Sequence, residues 1–338
     1  MKISIIIPVY NAMNFIEECL KGVLNQTYKD LEIILVDNNS KDGSFEYIKS
    51  IAEKDNRVKA FTEGKQGPNF ARKAGFDIAT GDYILFCDAD DYMHEDAVEK
   101  FVNEIEKNDS DVVIGNYCEI KRNREIIKEK KGIINNQTNT NLKEHKDIIH
   151  IKPALWNKIF KKDIIKDDFF ITSFIGEDMV ITISSMMLAN KITYINNIVY
   201  DYVPNDEGLS NSVNVRNLLN IITTVEELKK IAKKYNTYEQ YRGEIEFLCF
   251  THVIYRILRT VMMENDKERT EVYNQLSEYL KKNNEYKKTL YYKKKIYYRI
   301  ANAFLLNKKI YNLRIFRSTL KLIFKNKTIY KCFKKMDN

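Results

Sequence analysis

The chain has 338 residues, 44% of them apolar and 30% charged, with five cysteines, four prolines and one tryptophan. These values exclude a disordered chain or a disulfide scaffold and leave room for about two globular domains. The net charge of +8 is unevenly placed: residues 1–213 carry 27 Lys and Arg against 35 Asp and Glu, residues 214–280 carry 10 of each, and residues 281–338 carry 18 against 2.

The segment "ISIIIPV" (3–9) has the length and β-branched content of a buried strand. The apolar run before Pro8 is too short for a secretory leader. "NFIEECLKGVLNQ" has helical spacing, "LEIILVD" is a second buried strand, and "DNNSKDGS" is turn-forming. A helix over Ser44–Lys54, a short strand at Val58–Phe61 and a helix over Asn69–Ala79 follow. "DYILFCD" is the next strand, "HEDAVEKFVNEIEK" a helix and "SDVVIGN" a strand. Apolar strands alternating with amphipathic helices predict an α/β fold, with a mostly parallel sheet covered on both faces. Residues 117–150 are polar and weakly periodic and predict a hairpin or extended excursion. Residues 154–203 predict a helix near 177–190 and strands near 192–203.

From about Asn214 the pattern is helical only, with elements expected to about 261 and then over 269–282, 287–305 and 308–334. The domain boundary is therefore placed near 213: an α/β domain over 1–213 and an all-α domain over 214–338. No uninterrupted run of 18 apolar residues occurs, and the best candidate, 245–258, is broken by Glu246, His252 and Arg256. A transmembrane helix is not expected. The cysteines are far apart with no CxxC pair, which suits a reducing, cytoplasmic compartment.

Ligands of open α/β sheets bind outside the carboxyl ends of the strands. Three polar clusters fall there: Pro8–Asn11 ("PVYN"), Val36–Ser40 ("VDNNS") and "CDADD", which ends in Asp88, Asp90 and Asp91. Clustered carboxylates repel unless a cation offsets them, and a D-x-D after a buried strand offers oxygens to a hard divalent ion. There is no glycine-rich phosphate loop, so phosphates would be held by metal and basic side chains, Arg72 and Lys73 being candidates. Glu177 and Asp178 open a predicted helix in "GEDMVITISSMM".

"SIIIPVYN", "QTYKDLEIILVDNNSKDGS", "GPNFARKAGFDIATGDYILFCDADD" and "GEDM" together resemble the family 2 glycosyltransferases of GT-A fold, over about residues 1–205. The resemblance implies an inverting hexosyltransferase that moves a hexose or N-acetylhexosamine from a UDP-sugar to a hydroxyl of a glycan, polymer or protein. It implies a donor site of Pro8, Tyr10, Asp37, Asn38, Arg72, Asp88 and Ala89. It further implies a divalent metal (Mn²⁺ or Mg²⁺) on Asp90 with Asp88, and Asp178 as general base. Glu177, Trp156 and Asp91 fall on the acceptor side, Asp91 in either a supporting or an acceptor role.

The chain departs from the commoner family pattern at DNNS for DDGS and ARK for ARN. It also carries Asp206 and Glu207 where many members have a basic closing loop. Two rival readings remain: a degenerate sugar-nucleotide binder that works through its tail, and a sugar-nucleotide pyrophosphorylase. The second would need a glycine-rich basic loop after the first strand, and "PVYNAMNF" has none.

The last 58 residues mix 18 Lys and Arg with 11 Tyr and Phe. The preferred reading is peripheral contact with an anionic membrane surface on its cytoplasmic face. A helical bundle or homodimer interface is the alternative, and nucleic acid is not the expected partner.

Overall fold

The computed structural model describes residues 1–132, 139–173, 175–204 and 213–325. The chain divides into two compact units, Met1–Asn205 and Asp206–Asn338.

The first unit is an α/β sandwich on one mixed sheet. Strands β1 (Ile3–Val9), β2 (Leu31–Asp37), β3 (Val58–Thr62) and β4 (Tyr83–Phe86) run parallel in the order β3-β2-β1-β4. The sheet continues through β5 (Tyr92–Met93), β6 (Val112–Ile120), β7 (Ile126–Lys130), β8 (Lys158–Lys161) and β9 (Ile192–Tyr202). Here β8 lies antiparallel between β4 and β6, β9 runs parallel to β6, and β7 folds back on β6 as a hairpin. The polar stretch after residue 117 is thus partly sheet. A strand pair bordered by sheet on one side tolerates charged residues on its open edge.

Period-two alternation explains the two apolar layers. Ile3, Ile5 and Ile7 of β1 and Leu31, Ile33 and Leu35 of β2 point to one core. Helices α1 (Ile16–Leu24), α2 (Ser44–Ala52) and α4 (Ala97–Asn108) pack into it through Cys19, Leu20, Ile48, Val98 and Phe101. The alternate residues Ile6, Ile34 and Val36 face α3 (Pro68–Ile78). At Gly75 of α3 an added Cβ would lie 2.5 Å from Ile6 Cγ2. That close approach seats α3 on the sheet and fixes where Arg72, one turn earlier, emerges. Helix α5 (Glu177–Leu188) starts after Gly176, whose φ of 75° is left-handed.

The second unit is helical: α6 (Val215–Lys234), α7 (Tyr238–Arg259), α8 (Asp266–Lys282), α9 (Leu290–Lys294), α10 (Ile296–Leu305), α11 (Lys308–Asn312) and α12 (Arg314–Lys325). Its core is built from Leu218, Ile221 and Val225 of α6, Val253 and Ile257 of α7, and Val272 and Leu276 of α8. Lys229 is buried against Glu246 at 3.0 Å, and Glu246 also accepts from the Tyr238 hydroxyl at 2.6 Å.

The two long helices expected over 287–305 and 308–334 are each interrupted. Lys295 (ψ 93°) separates α9 from α10, and Leu313 (ψ 123°) separates α11 from α12. Asn307 caps α11 through its side-chain oxygen, and such a residue favours a helix start over a helix interior. The part of the last helix expected beyond 325 lies outside the described residues, as does most of the closing loop expected over 200–212. Among the described residues no helix is long and apolar enough to cross a membrane.

Candidate active site

The carboxyl ends of β1, β2 and β4 lie side by side because Val9 is in register with Asp37, and Ile6 with Phe86. Their following loops are stitched together. Asn11, at φ 46°, donates its backbone N–H to Ser40 Oγ at 3.0 Å and accepts from Lys41 N through its side chain at 2.9 Å. Ala12 N donates to Ser44 Oγ at 2.9 Å and Met13 N to Asp42 at 2.9 Å. Tyr10 stays 49% exposed at this rim.

Asp37 is buried and accepts from Asn39 N at 3.1 Å and Ser40 N at 3.3 Å. Asn38 is also buried. It donates to Glu63 O at 3.1 Å and Lys65 O at 2.7 Å and accepts from Gly67 N at 2.6 Å. All its groups are spent on the loop that precedes α3. An aspartate could not make the two donor bonds, which gives a physical reason for Asn38 in place of the second Asp of DDGS.

Arg72 is the hub of the site. It is buried, with one nitrogen 2.9 Å from Asp88 Oδ1 and another 3.3 Å from Glu177 Oε1, while its Nε has no hydrogen-bond partner. A buried guanidinium between two carboxylates ties the D-x-D loop to the start of α5. Lys73, the departure from ARN, points elsewhere and pairs with Asp77 and Asp167.

Glu177 and Asp178 open α5 side by side. Burial, and then the neighbouring Asp178 charge, push Glu177 up to about 7 despite the pull of Arg72. Burial also raises Asp178, against the favourable charge of Arg72 and a hydrogen bond from Met179 N at 2.9 Å. Two adjacent carboxyls in one desolvated pocket resist joint ionisation. This is the environment in which a carboxylate gains basicity.

The three acids of the D-x-D stretch have different surroundings. Asp88 and Asp90 keep about a third of their side chains exposed, 32% and 35%. Asp91 is buried, accepting from Val203 N at 2.7 Å and from the Tyr200 hydroxyl at 3.1 Å. Burial and the Asp90 and Asp88 charges raise it well above the usual carboxylate range. Both its oxygens are engaged inside the protein, by groups on and just after β9. Ala89 is buried between its neighbours.

Trp156 also departs from expectation. It is 6% exposed and stacks on Tyr200 at 4.6 Å and Tyr202 at 5.4 Å, with the edge of Tyr117 at 4.7 Å. The Lys152 ammonium lies 4.5 Å from its ring. Period two on β9 presents Tyr200 and Tyr202 on the same face and makes this stack, which leaves little ring for a sugar.

Residues 4–174 match the sequence profile described as glycosyl transferase family 2. The chain belongs to this family. As a family 2 glycosyltransferase it is similar to glycosyltransferase GlyG of Streptococcus pneumoniae, 32% identical over 213 residues, which cover 59% of this chain and 70% of that protein. The poly(ribitol-phosphate) beta-glucosyltransferase of Bacillus spizizenii is 30% identical over 294 residues, 83% of this chain and 45% of that protein. Glycosyltransferase GlyA of Streptococcus pneumoniae is 29% identical over 214 residues, and the match spans 30% of its length. The chain therefore spans less than half of the length of two of these relatives. Among solved structures, residues 1–349 of S. aureus TarS in complex with UDP-GlcNAc align with a TM-score of 0.67 at 18% identity, covering 96% of this chain and 92% of that one. At that identity the likeness concerns the fold, which is GT-A.

Four residues of this glycosyltransferase site were not singled out in the sequence. The Tyr200 hydroxyl accepts from Asp88 N at 3.1 Å while donating to Asp91. Arg122, in the β6–β7 turn, donates to Asp90 O at 2.6 Å and lies 4.0 Å over the Phe15 ring. Arg124 covers the Tyr92 ring at 3.4 Å. Lys158 is fully buried, donating to Lys152 O at 3.0 Å, Ala154 O at 2.6 Å and Asn157 Oδ1 at 2.8 Å. Burial pulls Lys158 down to about 7. The "KRNRE" turn and the "YDY" alternation were the available signals, but nothing in the chain order says that they reach the D-x-D loop.

Proposed function

We propose that this glycosyltransferase moves a hexose or N-acetylhexosamine from a UDP-sugar to a hydroxyl acceptor with inversion. The observation that carries the reading is the Asp88–Arg72–Glu177 chain of ion pairs, which holds Asp178 beside the strand ends. Asp178 takes the proton of the acceptor hydroxyl. The freed oxygen forms a bond to the anomeric carbon, and the bond from that carbon to the diphosphate oxygen breaks with its electron pair leaving on UDP. Base assistance of this kind contributes about 10²–10⁴-fold. The stitched Pro8–Asn11 and Asp37–Ser40 loops would seat the nucleoside, and the UDP-GlcNAc complex of TarS supports uridine as the base.

Asp90 with Asp88 would hold a divalent cation, Mn²⁺ or Mg²⁺. The two part-exposed carboxylates are hard oxygen donors of the kind such ions prefer. Among the described residues no cluster of three or more His, Cys, Asp or Glu side chains could hold a metal by itself, which fits an ion whose remaining ligands are substrate oxygens and water. When bound, the ion supplies positive charge to the departing diphosphate. For the acceptor we favour a phosphate-bearing cell-surface polymer, supported by the printed activity of the Bacillus spizizenii relative. We also propose peripheral attachment to an anionic membrane surface through 281–338, on the cytoplasmic side.

Turnover of a panel of UDP-sugars with Mn²⁺ tests the reading. Asp178→Asn is expected to abolish transfer while UDP binding stays near wild type, and Asp90→Ala to weaken Mn²⁺-dependent UDP binding in calorimetry. Wild-type transfer by Asp178→Asn would remove the base assignment.

A further inference from the structure

The helical unit contains a cationic cavity that the transfer chemistry does not use. It holds about 390 Å³ and is lined by Val261, Asp266, Arg269, Arg314, Arg317 and Ser318. Three guanidinium groups face one carboxylate, leaving two net positive charges in the lining. Asp266 is already paired with Arg269. Arg269 itself is 8% exposed, donates weakly to Met263 O at 3.4 Å and keeps a buried Nε with no partner.

The arginines are positioned by packing. Arg314 and Arg317 are three residues apart on α12 and so project to one side. Beneath them Tyr311 is buried, stacked on Tyr273 at 3.8 Å, with its hydroxyl 2.6 Å from Thr260 Oγ1. Burial raises the Tyr311 phenol, while its hydrogen bond with Thr260 and then the charges of Arg269 and Arg317 pull it down. Like charges gathered in one recess destabilise each other unless an anion joins them. Planar guanidinium forks match the oxygens of phosphate, and Ser318 adds a hydroxyl donor. The lining residue Arg314 is flanked in the chain by apolar residues: Leu313 and Ile315 are 57% and 83% exposed.

We propose that this cavity is a binding site for a phosphate group, separate from the donor site of the first unit. The phosphate is either that of an anionic lipid headgroup, with the flanking apolar residues entering the bilayer, or that of a soluble phosphate compound. The proposal stands whether or not the donor is a UDP-sugar.

The test uses the full chain. Inorganic phosphate and glycerol phosphate are titrated by calorimetry, and flotation is measured with phosphatidylglycerol and phosphatidylcholine vesicles. The double variant Arg314→Gln/Arg317→Gln is compared with Lys293→Gln/Lys294→Gln, which removes the same charge from exposed positions of the same unit. Melting curves confirm that both fold. The arginine variant is expected to weaken binding about ten-fold, and the lysine variant to stay within about two-fold. Selective flotation on phosphatidylglycerol that free phosphate competes away assigns the lipid. Phosphate binding without flotation assigns a soluble ligand, and removes the membrane reading without removing the site. No binding of any probe by wild type, or equal weakening in both variants, overturns the proposal.

Discussion

Glu177→Gln separates the cost of the site from its use. In the folded chain Glu177 is raised from 4.5 to about 7, which corresponds to about 3 kcal/mol against its ionised form. The folded state therefore binds more protons than the unfolded state between those two values, and stability falls as pH rises through that window. Glutamine removes the penalty but also one of the two anions of Arg72. The net expectation is a variant about 1–2 kcal/mol more stable than wild type at pH 8, the gap closing toward pH 4.5. Urea unfolding followed by Trp156, the only tryptophan, reports this directly. A gap that does not change with pH, or a less stable variant at pH 8, would refute the argument.

Three further outcomes follow from the geometry. Gly75→Ala would stabilise an exposed helix, but here its Cβ meets Ile6 at 2.5 Å. A loss of about 1–3 kcal/mol is expected in thermal melts, with a raised KM for donor as Arg72 shifts. Glu32, buried and lowered to about 2 by bonds from Ser4, Thr80 and Lys59 that outweigh its burial, contributes stability above pH 4.5 that is lost as pH falls toward 2. Glu32→Gln should cost about 2 kcal/mol at pH 6 and nearly nothing at pH 2.5, read by acid unfolding. Tyr200→Phe leaves Asp91 without one of its two donors and should cost about 1–3 kcal/mol, with donor KM rising because Asp88 N loses its acceptor.

Much of the site was legible because its parts sit at strand ends, and strand ends can be read from local apolar runs. Asp37, Asp88 and Asp90 follow β-branched segments, and a parallel sheet brings such ends together. The surroundings of Asp91 and Trp156 were not legible. Asp91 is adjacent to Asp90 in sequence but turns inward to Val203 N, a bond across 112 residues. Trp156 could equally have faced solvent, and the alternation of β9, distant in sequence, decides that it does not. The breaks at Lys295 and Leu313 were hidden for a similar reason: the apolar stripe runs on through both, while backbone geometry does not.

By itself the sequence determined the strand and helix alternation of the first unit, the family, and which acids follow its strand ends. Those features depend on residue type and short-range spacing, which chain order records. Tertiary structure alone decided that Arg72, already beside Asp88, also reaches Glu177, 105 residues away, and that burial raises the basicity of Asp178. It alone brought Arg269, Arg314 and Arg317 to one cavity. Burial and ion pairing depend on distances between segments, and no local pattern encodes those distances.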